Sequence, residues 1–361
     1  MKKLCIAVAA LLSTAGLAPL NAETMLLGGY PNHLMLIDES SGQVQEKVTL
    51  ATGLPTSMHL SNDHSRVYVT TITTSGIEVL DAATHQVINS FSLNTPMTKY
   101  RFSGGVPDPS GRFFYIFGTK IDKELDSYRV SEPQYMVVDL QERKVVRSVP
   151  VAPEDQGPSY RARLALSPDG KTLYVFREKV IVIDTETMEV VDRIDLAKPD
   201  FPGMQDVSVS GSLETLSSPN EYVSLFNSVD PYIQNKVFGI ARFDLQSRRF
   251  NFSPIGPAPD SMAGLQVAPD GKNGYTVAVN GERGNARCEF WHFDLSQNIA
   301  VNNAEFPCRS RFYFGMSPNG EKLYIYGAGF DVAVYDAKTL KAEADWELTN
   351  DATMAGMLFL Q

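Results

Sequence analysis

From Thr24 onward the chain alternates short apolar-rich runs with polar turns, and it nowhere sustains the three-to-four-residue spacing of a helix. One pattern recurs: a run of β-branched and aromatic residues ending in Asp, a few polar turn residues, then a second strand-like run. It reads LMLID to Asp38, IEVLD to Asp81, YMVVD to Asp139, VIVID to Asp184, IARFD to Asp244, FWHFD to Asp294 and VAVYD to Asp336. Successive Asp residues lie 42 to 60 positions apart, a loose period near 50. An Asp at a strand end accepts hydrogen bonds from its own backbone a few residues on, which fixes a tight turn between antiparallel strands. The seven Asp residues are therefore read as turn-formers.

A second signature precedes most of these runs: LSNDHSRVYVT from Leu60, PDPSGRFFYIFG from Pro107, LSPDGKTLYVF from Leu166, VAPDGKNGYTVAV from Val267 and MSPNGEKLYIYG from Met316. Pro-Asp-Gly and Pro-Asn-Gly are turn tripeptides, and the alternation after them is strand. Each unit then has four antiparallel strands, which at this period is a propeller blade. The expected fold is all-β, a seven-bladed β-propeller forming one domain over residues 23–361. The last segment, Asp351 to Gln361, alternates like an inner strand, whereas Thr24 starts part-way into a blade. The C-terminal strand is expected to join the N-terminal blade and close the ring, removing two sheet edges.

The first 22 residues add a compartment. Lys2 and Lys3, an apolar run from Cys5 to Leu17 and Leu20-Asn21-Ala22 read as a signal peptide cleaved before Glu23, with export to the periplasm expected. The run is too short to span a bilayer comfortably. A net charge of -10 argues against the basic surface that nucleic acid requires. Cys288 and Cys308, twenty positions apart across a predicted hairpin, are suited to a disulfide in an oxidising compartment.

Function on such a scaffold sits where repeats are broken and at the channel mouth. Two blades are long. One carries a charged insertion, Gly118 to Gln134, and the other an irregular stretch, Ser210 to Gly239. Each is either a tolerated surface loop or a docking wall anchored by Tyr128, Tyr222, Phe226 and Tyr232. The segments expected to begin the inner strands are PTSMHL, TKYRFSGG, SYRARLAL, PGMQDVSV, DSMAGLQV, SRFYFGMS and ATMAGMLF. They bring Tyr100, Arg101, Tyr160, Arg161, Arg163, Arg311 and Tyr313 toward the channel mouth. That basic and aromatic set is either a ligand or partner site, or channel lining paired with Asp206 and Asp260.

The sequence has no CxxCH haem attachment, no GxSxG elbow, no P-loop and no dinucleotide fingerprint. Its five histidines, His33, His59, His64, His85 and His292, have no metal-ligand spacing, and only His59 falls on an expected inner strand. No catalytic, cofactor-binding or metal-binding residue is assigned.

The run LSPDGKTLYVFREKVIVIDTETMEVVDRIDL resembles the repeat of YVTN-type propellers. The order of segments over nearly the whole chain resembles a narrower family, the β subunit of quinohemoprotein amine dehydrogenase. Those segments are LIDESSGQV, KELDSYRVSEPQYMVVD, YVSLFNSVDPYIQNKVFGIARFDLQSRRF, VAVYDAKTLKAEADWEL and DATMAGMLFL. The methylamine dehydrogenase heavy chain is more distantly similar. The resemblance implies a non-catalytic subunit of a periplasmic complex that oxidatively deaminates primary amines. It places a tryptophan-derived quinone on a small partner subunit and haem c on a di-haem cytochrome subunit, with no cofactor on this chain. The propeller would then hold the small subunit and help wall the amine pocket. The Cys288 and Cys308 pair has no counterpart in that pattern. A stand-alone YVTN-type binding or assembly scaffold is the other reading, and a lactonase-like hydrolase would require a metal or a His/Glu cluster at the mouth.

Overall fold

The computed structural model describes residues 23–156, 163–177, 179–195, 205–210, 221–229, 232, 235–309, 311–327 and 329–360, without the side chains of 103, 195, 205–210 and 283. The expected signal peptide, 1–22, lies outside them. The described secondary structure is strands plus two single 3-10 turns, Pro153–Asp155 and Arg283–Asn285. The strands form seven separate antiparallel sheets of four principal strands, as the repeat predicts.

Blade one takes its three outer strands from Thr24–Gly29, His33–Asp38 and Val44–Thr49, and its inner strand from Ala352–Leu360. The closing register pairs Thr24 with Leu360, Leu26 with Leu358 and Gly29 with Ala352. Inner strands Pro55–Leu60, Thr98–Pro107, Arg163–Leu166, Gln205–Ser210 and Tyr313–Met316 begin blades two to five and seven. Blade six begins with a broken inner strand, Ser261–Met262 and Gln266–Val267, between which Leu265 turns wholly into the core.

Packing follows from this geometry. A middle strand lies between two neighbouring blades, so both of its faces are buried and alternate residues serve different interfaces. In Glu221–Val229, Tyr222 and Phe226 pack toward blade four, whereas Val223 and Leu225 pack toward blade six. The buried apolar residues fall into seven clusters, one at each junction between adjacent blades. The cluster joining Met25, Leu27 and Met35 to Tyr324, Val334 and Trp346 seals blade seven to blade one.

All seven repeat Asp residues do the same work. Asp38 Oδ1, for example, accepts from the Ser40 and Ser41 amides at 2.9 Å, and Asp184 Oδ1 accepts from the Glu186 and Thr187 amides at 3.0 and 2.8 Å. Four residues after each Asp the backbone turns left-handed, at Gly42, His85, Arg143, Met188, Arg248, Asn298 and Leu340. A side chain in that conformation costs roughly 1–2 kcal/mol, which the turn and the ladders on either side offset in six blades. Blade one requires glycine there for a second reason, because a Cβ on Gly42 would fall 2.2 Å from Trp346 Cγ of blade seven.

The turn hydrogen bonds hold every one of these carboxyls below the usual aspartate range. The largest cause is a main-chain amide at Asp81, Asp139, Asp184 and Asp244, and a side-chain donor at Asp38, Asp294 and Asp336. Below the unfolded aspartate value of about 3.9 the unfolded chain therefore binds more protons than the native ring. Stability from these turns is complete above that value and is lost as pH falls through the lower native values. The urea midpoint should hold between pH 6 and 5 and drop steeply toward pH 3; a midpoint independent of pH over that range would contradict the turn assignment.

Cys288 and Cys308 are disulfide-bonded, as their spacing predicts. Cys288 lies in the third strand of blade six, Arg287–Asp294, and Cys308 follows its outer strand, Ile299–Phe306. Closing a loop of this length stabilises a fold by about 3 kcal/mol. A Cys288→Ser/Cys308→Ser chain should lose stability of that order in urea melts, and reductant should then have no further effect on it.

Candidate functional site

The antiparallel order gives the ring two unlike ends. The SPDG-type turns and the Asp-turns lie together at one end, the turn face. The links between blades and the turns between second and third strands lie at the other, where the inner strands begin; these form the loop face. The charged insertion read from the sequence concerns the loop face. The insertion Gly118 to Gln134 is a hairpin that extends blade three: Phe113–Lys123 runs past the blade and Tyr128–Val130 folds back on its end. Arg129 holds it together, lying 3.4 Å from Glu124 and 3.9 Å from Asp122.

Exposed large apolar side chains are segregated. Among the described residues none lies in an SPDG-type turn or an Asp-turn. Ile88, Val146, Val191, Ile299 and Val301 sit on outer strands at the rim of the ring. The rest lie on the loop face: Leu125, Tyr128 and Val130 on the extended hairpin, Met97 on a link, and Tyr30, Ile72, Tyr232 and Phe330 on inter-strand turns, with Tyr313 at the head of its inner strand. Leu125 is fully exposed and Tyr232 is 87% exposed.

This separates the four proposed docking aromatics. Tyr128 and Tyr232 are on the surface of the loop face, whereas Tyr222 and Phe226, at 2% and 0% exposure, are core residues of blade five. The stretch Ser210 to Gly239 is largely two regular middle strands, Glu221–Val229 and Lys236–Asp244, within what is described. Its residues 211–220, 230, 231, 233 and 234 lie outside the described residues.

The inner strands enclose a central channel of about 1280 Å³. Its described wall includes Thr56, Ser57 and His59 from blade two, Gly104, Gly105 and Val106 from blade three, and Arg163 and Leu164 from blade four. Blade six adds Met262 and Gln266; blade seven adds Arg309, Arg311, Phe312 and Tyr313; the closing strand adds Met354 and Met357. Arg163, Arg311 and Tyr313 line the channel. Tyr160 and Arg161 lie outside the described residues.

Tyr100 and Arg101 do not line the channel. The inner strand of blade three is ten residues long, and its first part, Thr98 to Phe102, pairs with the extended end of the neighbouring strand, Gly118 to Asp122. The register shifts between Phe102 and Gly105, and only the residues from Gly104 onward reach the channel. Tyr100 packs instead against the junction of blades two and three, and Arg101 is exposed. Asp260 does not pair with the arginines either: its Oδ2 accepts from the Gly281 amide at 2.8 Å and so fixes a blade-six turn. The Asp206 side chain is not among those described.

Arg309 is a wall residue that the sequence did not single out, and His59 is one that it did. Arg309 lies on the link to blade seven, and its guanidinium grips the Asp331 carboxylate through two hydrogen bonds, one of 3.1 Å. His59, enclosed within the ring, has its imidazole pushed down to about 4 by burial, so it is neutral at pH 7. No Asp or Glu belongs to the described channel wall, and no group of three His, Cys, Asp or Glu among the described residues is placed to hold a metal.

No family profile matches this chain, and no curated protein matches it. Several solved structures are similar. One is hydrazine synthase of Kuenenia stuttgartiensis, at 19% identity and a TM-score of 0.52, over 84% of this chain and 89% of that one. Another is the dihydro-heme d1 dehydrogenase NirN, at 14% identity and a TM-score of 0.52, over 94% and 75%. A third, a functionally unknown protein of Desulfotomaculum acetoxidans, has 13% identity and a TM-score of 0.58, over 93% and 98%. At these identities the likeness is one of fold.

Proposed function

We propose that this chain is an exported, non-catalytic propeller subunit of a periplasmic complex like quinohemoprotein amine dehydrogenase. Its loop face docks a small quinone-bearing subunit, and a di-haem cytochrome c subunit completes the complex. The observation that carries the reading is the segregation of exposed apolar side chains: the turn face has none among the described residues, and the loop face concentrates them on an extended hairpin and four turns. Exposed apolar surface gathered on one side of a soluble scaffold is what a protein partner buries.

In this reading the chain's own work is mechanical. Seven blade junctions and the closing strand make a rigid ring, so the loop face costs little to order when a partner seats on it. The primary amine binds in the seam between that face and the partner, whose quinone supplies the oxidation. The rigid wall keeps water out of the seam, and excluding water strengthens the electrostatic interactions inside it. The isolated chain should show no visible absorbance and no amine oxidation, with oxidation appearing once the quinone-bearing and cytochrome subunits are added. Amine oxidation by the chain alone would overturn the reading.

A further inference from the structure

We propose that this chain associates with a second copy of itself, edge to edge, through the outer strand of blade six. The inference goes beyond the docking proposal and does not depend on it, since docking concerns the loop face and this concerns the rim of the ring.

Three observations carry it. The first is that this edge is long, exposed and nearly without protection. Each blade ends in an outer strand whose far side has no partner strand among the described residues. Such an edge invites another strand unless charge or proline blunts it. Charged residues stand along the outer strands of blades one, three, four and seven, as in AEADWE at Ala342–Glu347, and Pro254 and Pro257 interrupt that of blade five. The outer strand of blade two, Val87–Ser92, is uncharged but shorter and largely half-buried, and its Asn89 side chain is held by the Leu140 carbonyl at 2.8 Å. In blade six, Ile299–Phe306 runs for eight residues with no proline and a single charge, Glu305, and its first five residues are exposed. Ile299 and Val301 among them are 46% and 56% exposed.

The second is the direction of its main-chain groups. The Ala263 amide donates to the Val277 carbonyl at 2.8 Å, so Val277 faces the inner strand of the blade. Successive residues of an antiparallel strand face opposite neighbours. Thr276 therefore bonds Trp291 in the third strand, and Asn303, which stands opposite Trp291 on its other side, faces the open edge. The Asn303 amide donates instead to the Oδ1 of its neighbour Asn302 at 2.9 Å, an exposed contact that one side-chain rotation releases. Glu305, two residues on, faces the same way. The Cys288 to Cys308 disulfide ties the chain just beyond this strand to the strand beside it. An edge ordered in advance loses less entropy when a partner pairs with it.

The third is that the strand complements its own reverse. Antiparallel pairing about a two-fold axis at Ala304 sets Asn303 of one copy opposite Glu305 of the other, both with outward main-chain groups. Ala304 then meets Ala304, so small side chains fall at the non-hydrogen-bonded position, where strands lie closest. The one charged side chain, Glu305, faces an asparagine and not a second carboxylate, and it is ion-paired with Arg287 of its own chain. The same operation on AEADWE would set acidic side chains against each other, which is destabilising. An unrelated extended segment would find the same donors, but this match in charge and size favours a second copy. One strand pair with its flanking apolar residues is a small contact, so the dimer is weak and reversible.

The test is sedimentation velocity of the full chain across a wide range of concentration, with amide hydrogen exchange at both ends of that range. A monomer–dimer equilibrium is expected, and the Asn303 and Glu305 amides should exchange more slowly in the dimer. Asn303→Pro removes one outward donor from each copy and should weaken the dimer about thirtyfold, the size of two lost hydrogen bonds. Proline is tolerated at that position because its N–H lies outside the blade's own ladder. Val301→Lys places a charge on the edge and should also weaken the dimer; it decides the matter if the proline variant does not fold. Ile88→Lys, on the outer strand of blade two, should leave the dimer unchanged. A monomer at every concentration, a dimer that neither blade-six variant weakens, or a dimer in which the Asn303 and Glu305 amides exchange as fast as in the monomer would each overturn the proposal. A chain with Leu125→Asp and Tyr128→Asp should dimerise like the parent, so failure of docking and failure of the edge contact are read separately.

Discussion

A chain ending at Asp351, without the strand Ala352–Leu360, should have no cooperative unfolding transition. That strand is the inner strand of blade one, hydrogen-bonded to Thr24–Gly29 and packed beside the inner strand Pro55–Leu60 of blade two. It buries Ala352, Ala355 and Leu360 and half-buries Met357, Leu358 and Phe359 in two different junctions. Burying one large apolar side chain fully is worth about 1.5–3 kcal/mol. Even a fraction of that over four side chains approaches the roughly 5–15 kcal/mol that holds a domain together. The loss does not stop there, because Leu26 and Leu27 would lose their cover and Thr24–Gly29 would become an open sheet edge. Far-UV circular dichroism during a urea titration checks it. A truncated chain that unfolds cooperatively within about 2 kcal/mol of the full chain would show that the ring does not rely on its closing strand. A synthetic peptide of residues 352–360 should restore the transition in part.

The double substitution Leu125→Asp with Tyr128→Asp should abolish partner binding while leaving the ring intact. Both side chains stand out from the extended hairpin of blade three, neither belongs to a core cluster, and Leu125 touches solvent over its whole surface. Exposed substitutions of this kind change stability by no more than about 0.5 kcal/mol. A docked aromatic or aliphatic anchor, however, costs about 2 kcal/mol or more to remove, and a buried carboxylate in its place costs further. Affinity for the proposed quinone-bearing subunit should therefore fall by about a hundredfold or more, with the thermal midpoint unchanged. Equal affinity in the variant and the parent would remove the hairpin from the interface.

How much of this was legible in the sequence depended on whether a feature is set locally. The seven blades were legible because the Asp-turn and the SPDG-type turn are local devices: the Asp side chain and its own amides make the turn wherever the strand places it. The left-handed residue four positions later was not. Glycine marks it only at Gly42, where Trp346 of the next blade forbids a Cβ, and in the other blades His85, Arg143, Met188, Arg248, Asn298 and Leu340 are held there by the ladder. The disulfide was legible from spacing across a hairpin.

The site was less so, because it depends on register and on side-chain direction. Arg163, Arg311 and Tyr313 reach the channel, but Tyr100 and Arg101 miss it by a bulge and an elongated hairpin that no local pattern announces. Tyr222 and Phe226 appeared to belong to an insertion because blade five lacks the usual turn before its second strand. The alternation in EYVSLFNSV was the signal that they occupy a regular, doubly buried strand.

The most direct test of the docking account is purification of the chain from its native source under non-denaturing conditions, followed by an absorption spectrum of whatever elutes with it. The account predicts a complex in which visible absorbance of quinone and haem c resides on two other polypeptides, and none remains on this chain once the subunits are separated. A chain that elutes alone and colourless, or one that keeps a visible chromophore after separation, would contradict it.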